Sequence, residues 1–152
     1  MLIIRKIKMI RDSRYDGYIK NISEKLCGIN ENKETCILVS GASGMIGTVI
    51  IDILLSMNSM YGYRYKLYGL GRDLNRAKDM FADYEKRDDF KFVECDINRG
   101  IQDIGDVNYV IHAASNTHPI DYSLDPIGTI SSNVIGTSNL LEYAFCFEKI
   151  CT

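Results

Sequence analysis

The sequence has little of what marks nucleic-acid-binding or metal-binding proteins. Its 18 basic and 20 acidic residues leave a formal charge of −2, and no basic cluster is interleaved with aromatic residues. This argues against nucleic acid as a partner. The five cysteines never show C-x-x-C spacing, and the two histidines, His112 and His118, have no cysteine pair nearby. We therefore expect no metal site, and reduced thiols in the cytoplasm.

Long apolar runs are also missing. Charged residues interrupt the apolar start after Ile4, and the longest later run, from Val49 to Leu55, contains Asp52. Neither run is long enough for an export signal or a bilayer span, so we expect no membrane contact. With 152 residues and 46% hydrophobic content, the chain can bury the core of one ordinary domain.

Residues 1–34 differ from the remainder and are predicted to form an N-terminal extension that is partly helical. Apolar residues recur there at helical spacing: Ile19, Ile22, Leu26 and Ile29. This spacing predicts a helix from about Tyr18 to Cys27, ending near Gly28. We expect it to pack on the domain or on a partner, and a substrate-related role is the alternative.

Residues 35–152 alternate short apolar runs with helical patterns, as βαβ units do. The predicted strands cover about residues 36–40, 66–70, 91–95 and 109–113. The predicted helices cover about residues 45–57, 74–84, and 126 or 129 to 147. The fold class is therefore α/β, a three-layer parallel sheet flanked by helices, with the carboxyl ends of the strands along one rim.

The most informative segment joins the first strand to the first of these helices. It reads Gly41-Ala42-Ser43-Gly44-Met45-Ile46-Gly47. Gly41 permits a tight turn, Gly44 removes a Cβ that would hold a phosphate away, and Gly47 permits close packing of helix and strand. Backbone N–H groups at the helix start can then bind the anion, which makes residues 41 and 43–47 candidate cofactor contacts. The alternative is a glycine-rich turn between packed elements.

The G-x-x-G-x-x-G spacing resembles the extended short-chain dehydrogenase/reductase superfamily, and within it the NAD-dependent epimerase/dehydratase enzymes that act on nucleotide sugars. Two later segments extend the resemblance: His112-Ala113-Ala114-Ser115 at a strand end, and the helix that begins Asp125-Pro126 and carries Asn133-Val134-Ile135-Gly136-Thr137. The matches run from about Cys36 to Ala144. They imply a Rossmann-type NAD(P)-binding domain, incomplete here because the chain ends where a fifth strand is expected.

The resemblance also implies contacts at the ends of the second and third strands. Arg72 would pair with a 2′-phosphate, which favours NADP over NAD. Asp96 would accept from the adenine amine, and Ile97 would cover the ring. The alternatives are a solvated turn for Arg72, a helix N-cap for Asp73 and a turn toward Asn98 for Asp96.

At the end of the fourth strand, Ala113, Ala114 and Ser115 would let the dinucleotide lie against the backbone, and Asn133 would support the active-site framework. We interpret His112 as a strand residue rather than a base, and His118 as a rim residue that could approach a substrate or be an unpartnered loop histidine. The Gly136 position is interpreted as close packing of the helix on the sheet.

The catalytic pair of the resembled family is missing. None of the ten tyrosines is followed four residues later by lysine, so no catalytic residue is assigned. The sequence predicts the cofactor-binding part of an oxidoreductase-type enzyme, an isomerase or lyase of nucleotide sugars, that is inactive alone and whose parent takes a nucleotide-sugar substrate. The alternatives are a noncatalytic, redox-sensing NAD(P)-binding module and, less favoured, a superfamily member with a nonsugar substrate. A homodimer is also expected: in the resembled family, the long helix after the fourth strand and the next helix commonly build a four-helix dimer interface, and only the first of the two is present here.

Overall fold

The computed structural model describes residues 11–28, 34–115 and 124–147. The helices are α1 (Ser13–Leu26), α2 (Met45–Tyr61), α3 (Leu74–Met80) and α4 (Pro126–Phe147). The strands are β1 (Thr35–Ser40), β2 (Tyr65–Gly71), β3 (Phe90–Glu94) and β4 (Tyr109–His112). Short 3-10 helices cover Ala82–Tyr84 and Ile97–Arg99. No helix in these described ranges is long and apolar enough to cross a membrane.

The four strands form one parallel sheet in the order β3-β2-β1-β4. At the centre of the sheet, Val39 of β1 lies opposite Gly69 of β2 on one side and Ile111 of β4 on the other. All carboxyl ends therefore meet at one rim. The predicted α/β Rossmann-type sheet is confirmed.

The alternation of β1 side chains divides the core into two layers. Ile37 and Val39 point to the face covered by α2 and α3, where Leu55 and Phe81 complete the layer. Leu38 points to the opposite face. There, buried residues from the region after β3 and from α4 pack together: Cys95, Ile97, Leu140 and Tyr143. A strand buried on both faces reads as a continuous apolar run, as β1 does.

The carboxyl-terminal ends of two predicted helices were wrong. The first, α2, continues one turn past Met57 to Tyr61 and is followed by Gly62, whose φ of +72° suits a left-handed C-cap. The second, predicted over residues 74–84, ends at Met80. Phe81 turns out of the helix, and its buried ring packs 4.8 Å from the ring of Phe90. The gain from burying this aromatic ring outweighs continuation of the helix.

The N-terminal helix begins five residues earlier than predicted, because Asp12 caps it. The Asp12 carboxylate accepts from the backbone N–H groups of Arg14 (3.1 Å) and Tyr15 (2.9 Å). Ile19 and Ser23 are buried as α1 lies along α2, whereas Ile22 is exposed. Ile29 and His118 lie outside the described residues.

Candidate cofactor site

At each of the three predicted glycines of the β1–α2 segment, a Cβ would meet different neighbouring atoms. Gly41 has φ +69°, and a Cβ there would lie 2.6 Å from the carbonyl oxygen of Ala113 at the end of β4. A Cβ on Gly47 would collide with the Gly41 carbonyl and with Ala42. At Gly44 the only close neighbour of a Cβ would be the Gly41 oxygen, at 3.0 Å. Gly41 and Gly47 thus allow close packing of the backbone, and Gly44 leaves the surface of the loop free of a side chain.

The loop is held by its own hydrogen bonds. Ala42 N–H donates to the Leu70 carbonyl (3.0 Å) and Gly44 N–H to the Gly41 carbonyl (2.9 Å). The buried Thr48 hydroxyl lies 3.0 Å from the Ala42 carbonyl oxygen and 2.8 Å from that of Gly44. These contacts give the loop a defined shape without a ligand.

The first turn of α2 is suited to an anion. Gly44 is its N-cap, no side chain caps the helix, and no acidic residue occurs in its first turn. The backbone N–H groups of a helix start are satisfied by a side chain, by water or by a ligand. Together with the helix dipole they favour a phosphate at this position.

A cleft of about 370 Å³ runs from this loop across the rim of the sheet. It brings together nine predicted residues from the ends of all four strands: Gly41, Ser43, Gly44, Arg72, Asp96, Ile97, Ala113, Ala114 and Ser115. Four predicted residues are placed elsewhere. Met45 and Ile46 are 77% and 61% exposed beside it, Gly47 is buried beneath the loop, and the Asn133 amide oxygen accepts from the Ser115 hydroxyl at 3.1 Å.

At the end of β2, the structure separates the roles of Arg72 and Asp73. The Asp73 carboxylate accepts from the backbone N–H of Arg76 at 2.8 Å and caps α3, which confirms the N-cap alternative. Arg72 is exposed and lines the cleft together with Arg76. Sequence reasoning missed Arg76, which lies in the first turn of α3 three residues after its N-cap.

At the end of β3, Asp96 both lines the cleft and begins a turn. One carboxylate oxygen accepts from Asn98 N–H at 3.1 Å, and the other lies 3.6 Å from Nε of the exposed Arg99. Ile97 is buried under α4, where a Cβ on Gly136 would lie 2.6 Å from its Cδ1. The helix does pack closely at Gly136, but the prediction that it packs there on the sheet was wrong, because the immediate neighbours are Ile97 and Asn98 of the 3-10 helix after β3.

Other cleft residues were not predicted. Cys95 lines it as a buried thiol whose pKa is raised by burial, and Ser132 lies one residue before the predicted Asn133. On the same rim, Ser40 Oγ lies 2.6 Å from Nδ1 of His112, and burial lowers the pKa of this histidine. As interpreted from the sequence, His112 belongs to a strand.

A parallel sheet of this strand order, a glycine loop at its first β–α turn and a cleft along the rim define a Rossmann-type nucleotide-binding domain. Comparison with known proteins narrows the class. Residues 37–149 match the model of the NAD dependent epimerase/dehydratase family. The chain belongs to this family and has its NAD(P)-binding fold.

The chain is also similar in sequence to individual proteins. UDP-glucuronic acid decarboxylase 5 of Arabidopsis thaliana is 30% identical over 108 residues, which are 71% of this chain and 30% of that protein. An uncharacterized membrane protein of Methanocaldococcus jannaschii is 32% identical over 122 residues, 76% of this chain and 34% of that protein. The chain thus spans about a third of the length of these relatives.

The fold also matches solved structures. One is DesIV, a dTDP-glucose 4,6-dehydratase from Streptomyces venezuelae, determined with NAD and TYD bound. It has a TM-score of 0.58 and 25% sequence identity, and the match covers 72% of this chain and 35% of that one. These comparisons support a nicotinamide dinucleotide as the cofactor class.

Proposed function

We propose that this chain is the dinucleotide-binding part of an oxidoreductase-type nucleotide-sugar epimerase or dehydratase, and that it binds NADP in preference to NAD. The cleft that joins the glycine loop to the ends of four strands carries this proposal. When bound, a nicotinamide dinucleotide supplies hydride chemistry. The residues of this chain bind and orient it.

The residues present fit such a cofactor along the whole cleft. The uncapped start of α2 suits the pyrophosphate, and Gly44 leaves room for it. Ala113 and Ala114 line the cleft at the end of β4, and their small side chains let a dinucleotide lie close to the backbone. Among the described residues, the second carboxylate oxygen of Asp96 bonds to no backbone group and is engaged by the exposed Arg99 alone. That oxygen can accept from an amine of the adenine ring.

The preference for NADP rests on charge at the end of β2. Arg72, Arg76 and Asp73 all line the cleft, and Asp73 uses one carboxylate oxygen to cap α3. Two guanidinium groups beside one partly engaged carboxylate favour a 2′-phosphate over the ribose hydroxyl of NAD.

Titration calorimetry of the full chain with NADPH and with NADH tests this proposal. We expect tighter binding of NADPH. Equal affinities, or tighter binding of NADH, would refute the NADP preference, and no binding of either nucleotide would refute the assigned cofactor site.

We further propose that the chain alone has no turnover. None of its ten tyrosines is followed four residues later by lysine, so no tyrosine here has the neighbour that would lower its pKa for proton exchange with a substrate. The same observation favours the second candidate, a noncatalytic module that senses the NAD(P) redox state. Turnover of UDP-glucuronic acid or dTDP-glucose by the purified chain would contradict both.

The surface of α4 supports a homodimer. Five apolar residues form one exposed stripe along this helix: Ile127, Ile130, Val134, Leu141 and Phe145, each at least 53% exposed. A stripe at helical spacing that meets no partner within the described chain suits a helix–helix contact. We propose a second copy of the chain as that partner, in agreement with the expectation from the family.

A further inference from the structure

Asp52 is a buried carboxylate in the middle of α2, where it is the only charged residue. Its side chain is 3% exposed. Arg11 donates to it through Nη2 (2.7 Å) and Nε (3.1 Å), Tyr15 through its hydroxyl (2.6 Å), and Tyr84 through its hydroxyl (2.8 Å). A buried carboxylate is tolerated only with such compensation. We call these four residues the polar lock.

The polar lock connects three segments on the sheet face that α2 and α3 cover: the start of α1, the middle of α2 and the end of α3. Arg11, just before α1, also donates through Nη1 to the carbonyl of Met80, the last residue of α3, at 2.9 Å. Its guanidinium carbon lies 4.8 Å from the ring centroid of Tyr84. Burial, reinforced by Asp52, raises the pKa of Tyr15 and of Tyr84, so both hydroxyls remain donors at neutral pH.

A groove of about 340 Å³ surrounds the polar lock. We interpret it as the place where α1 is attached to α2, and not as a ligand site. Its less exposed charged groups partner residues of the same chain, Arg11 with Asp52 and Arg87 with Asp89, each at 2.7 Å. These pairs satisfy the charges without an added ligand.

Two further hydrogen-bond contacts hold α1 and the residues just after it against the domain. The Ser23 hydroxyl lies 3.3 Å from the Ile53 carbonyl oxygen, and Gly28 N–H donates to the Tyr63 hydroxyl at 2.8 Å.

Asp52 of the polar lock lies one helical turn after Thr48, and Thr48 contacts the glycine loop. Thr48, four residues before Asp52, bonds the loop carbonyls of Ala42 and Gly44. We propose that Arg11 and Tyr15 are positioning residues for the cofactor site: by holding Asp52 they fix α2, and through Thr48 they fix the phosphate-binding loop. The cofactor part of this inference rests on the proposed function.

Hydrogen–deuterium exchange of the full chain tests the coupling. Tyr15→Phe removes one bond to Asp52, and Tyr143→Phe is its matched control. Tyr143 donates to the Gly105 carbonyl at 2.7 Å on the opposite face of the sheet. We expect Tyr15→Phe, and more strongly Arg11→Gln, to speed exchange about tenfold in residues 41–51 as well as in α1. Tyr143→Phe should leave residues 41–51 unchanged.

Equal exchange of residues 41–51 in the two phenylalanine variants would overturn the inference, since a general loss of stability would affect both alike. If Arg11→Gln does not fold, the comparison of the two phenylalanine variants still tests the coupling between the polar lock and the glycine loop. NADPH titration gives the second measurement: a several-fold weaker affinity in Tyr15→Phe alone is expected, and unchanged affinity overturns the inference. Failure of the unmodified chain to bind either nucleotide would refute the proposed function, while the exchange comparison would still test the coupling.

Discussion

Gly41 in the loop after β1 and Ala113 at the end of β4 lie so close that a Cβ on Gly41 would be 2.6 Å from the Ala113 carbonyl oxygen. The two residues are 72 positions apart in the sequence. This contact closes one wall of the cleft, so the glycine loop and the strand end act as one surface. Gly41 also has φ +69°, a conformation that a side chain disfavours.

Gly41→Ala is therefore expected to destabilise the chain by about 2–4 kcal/mol, from backbone strain and overlap together. Chemical denaturation measures the free energy of unfolding. Gly17→Ala is the matched control, because nothing lies within 4 Å of a Cβ in the middle of α1. It should stabilise by about 0.5–1 kcal/mol through helix propensity. Similar effects of the two substitutions would contradict the proposed close contact.

Arg72→Ala is expected to weaken NADPH binding about tenfold or more while leaving NADH binding nearly unchanged, since only NADPH carries the 2′-phosphate. Calorimetry with both nucleotides measures the difference. Arg64→Ala is the control: Arg64 lies just before the opposite end of β2, paired with Glu34, and its loss should affect neither affinity. Arg76→Ala should show the same selectivity as Arg72→Ala, by a smaller factor. An equal loss for both nucleotides would show that Arg72 does not contact the 2′-phosphate.

The stability of the chain should fall as the pH drops through the range in which unfolded histidine titrates. Partial desolvation of the His112 ring, in a residue that is exposed overall, lowers its pKa from the ordinary value of 6.5, so below that value the unfolded chain takes up this proton first. The contribution of His112 is thus fully present above about pH 7.5 and declines toward its folded pKa. Thermal unfolding at pH 7.5 and 5.5 should show a smaller loss in His112→Asn. An unchanged pH dependence would exclude His112 as its source.

Val134→Lys is expected to convert a dimeric chain into monomers, because it places a charge in the apolar stripe of α4. Analytical ultracentrifugation measures the oligomeric state. Asn139→Lys is not a suitable control, since the Asn139 side chain donates to the Ile97 carbonyl at 2.6 Å. Glu142→Lys is the control, because Glu142 is exposed, lies beside the apolar stripe rather than in it and already carries a charge, and we expect the variant to stay dimeric. A monomeric unmodified chain would refute the proposed dimer.

The ends of the elements were harder to predict than their existence. The apolar run of β1 and the glycine spacing after it are local signals, and both matched the structure. The end of α3 depended instead on the contact of Phe81 with Phe90, which no local pattern encodes. Arg76, in the first turn of α3 after the Asp73 cap, lines the cleft, and no local pattern separates it from an ordinary exposed helix residue.

The sequence by itself determined the parallel α/β architecture, the glycine loop and most of the residues that line the cleft. Their chemistry is local: backbone freedom at glycine, small side chains at strand ends and apolar periodicity act over a few residues. Only the tertiary structure decided that Ile97 packs under Gly136, and that Asp52 is compensated by Arg11 and two tyrosines. Such pairings join positions far apart in the chain, and packing alone selects which partner each polar group meets.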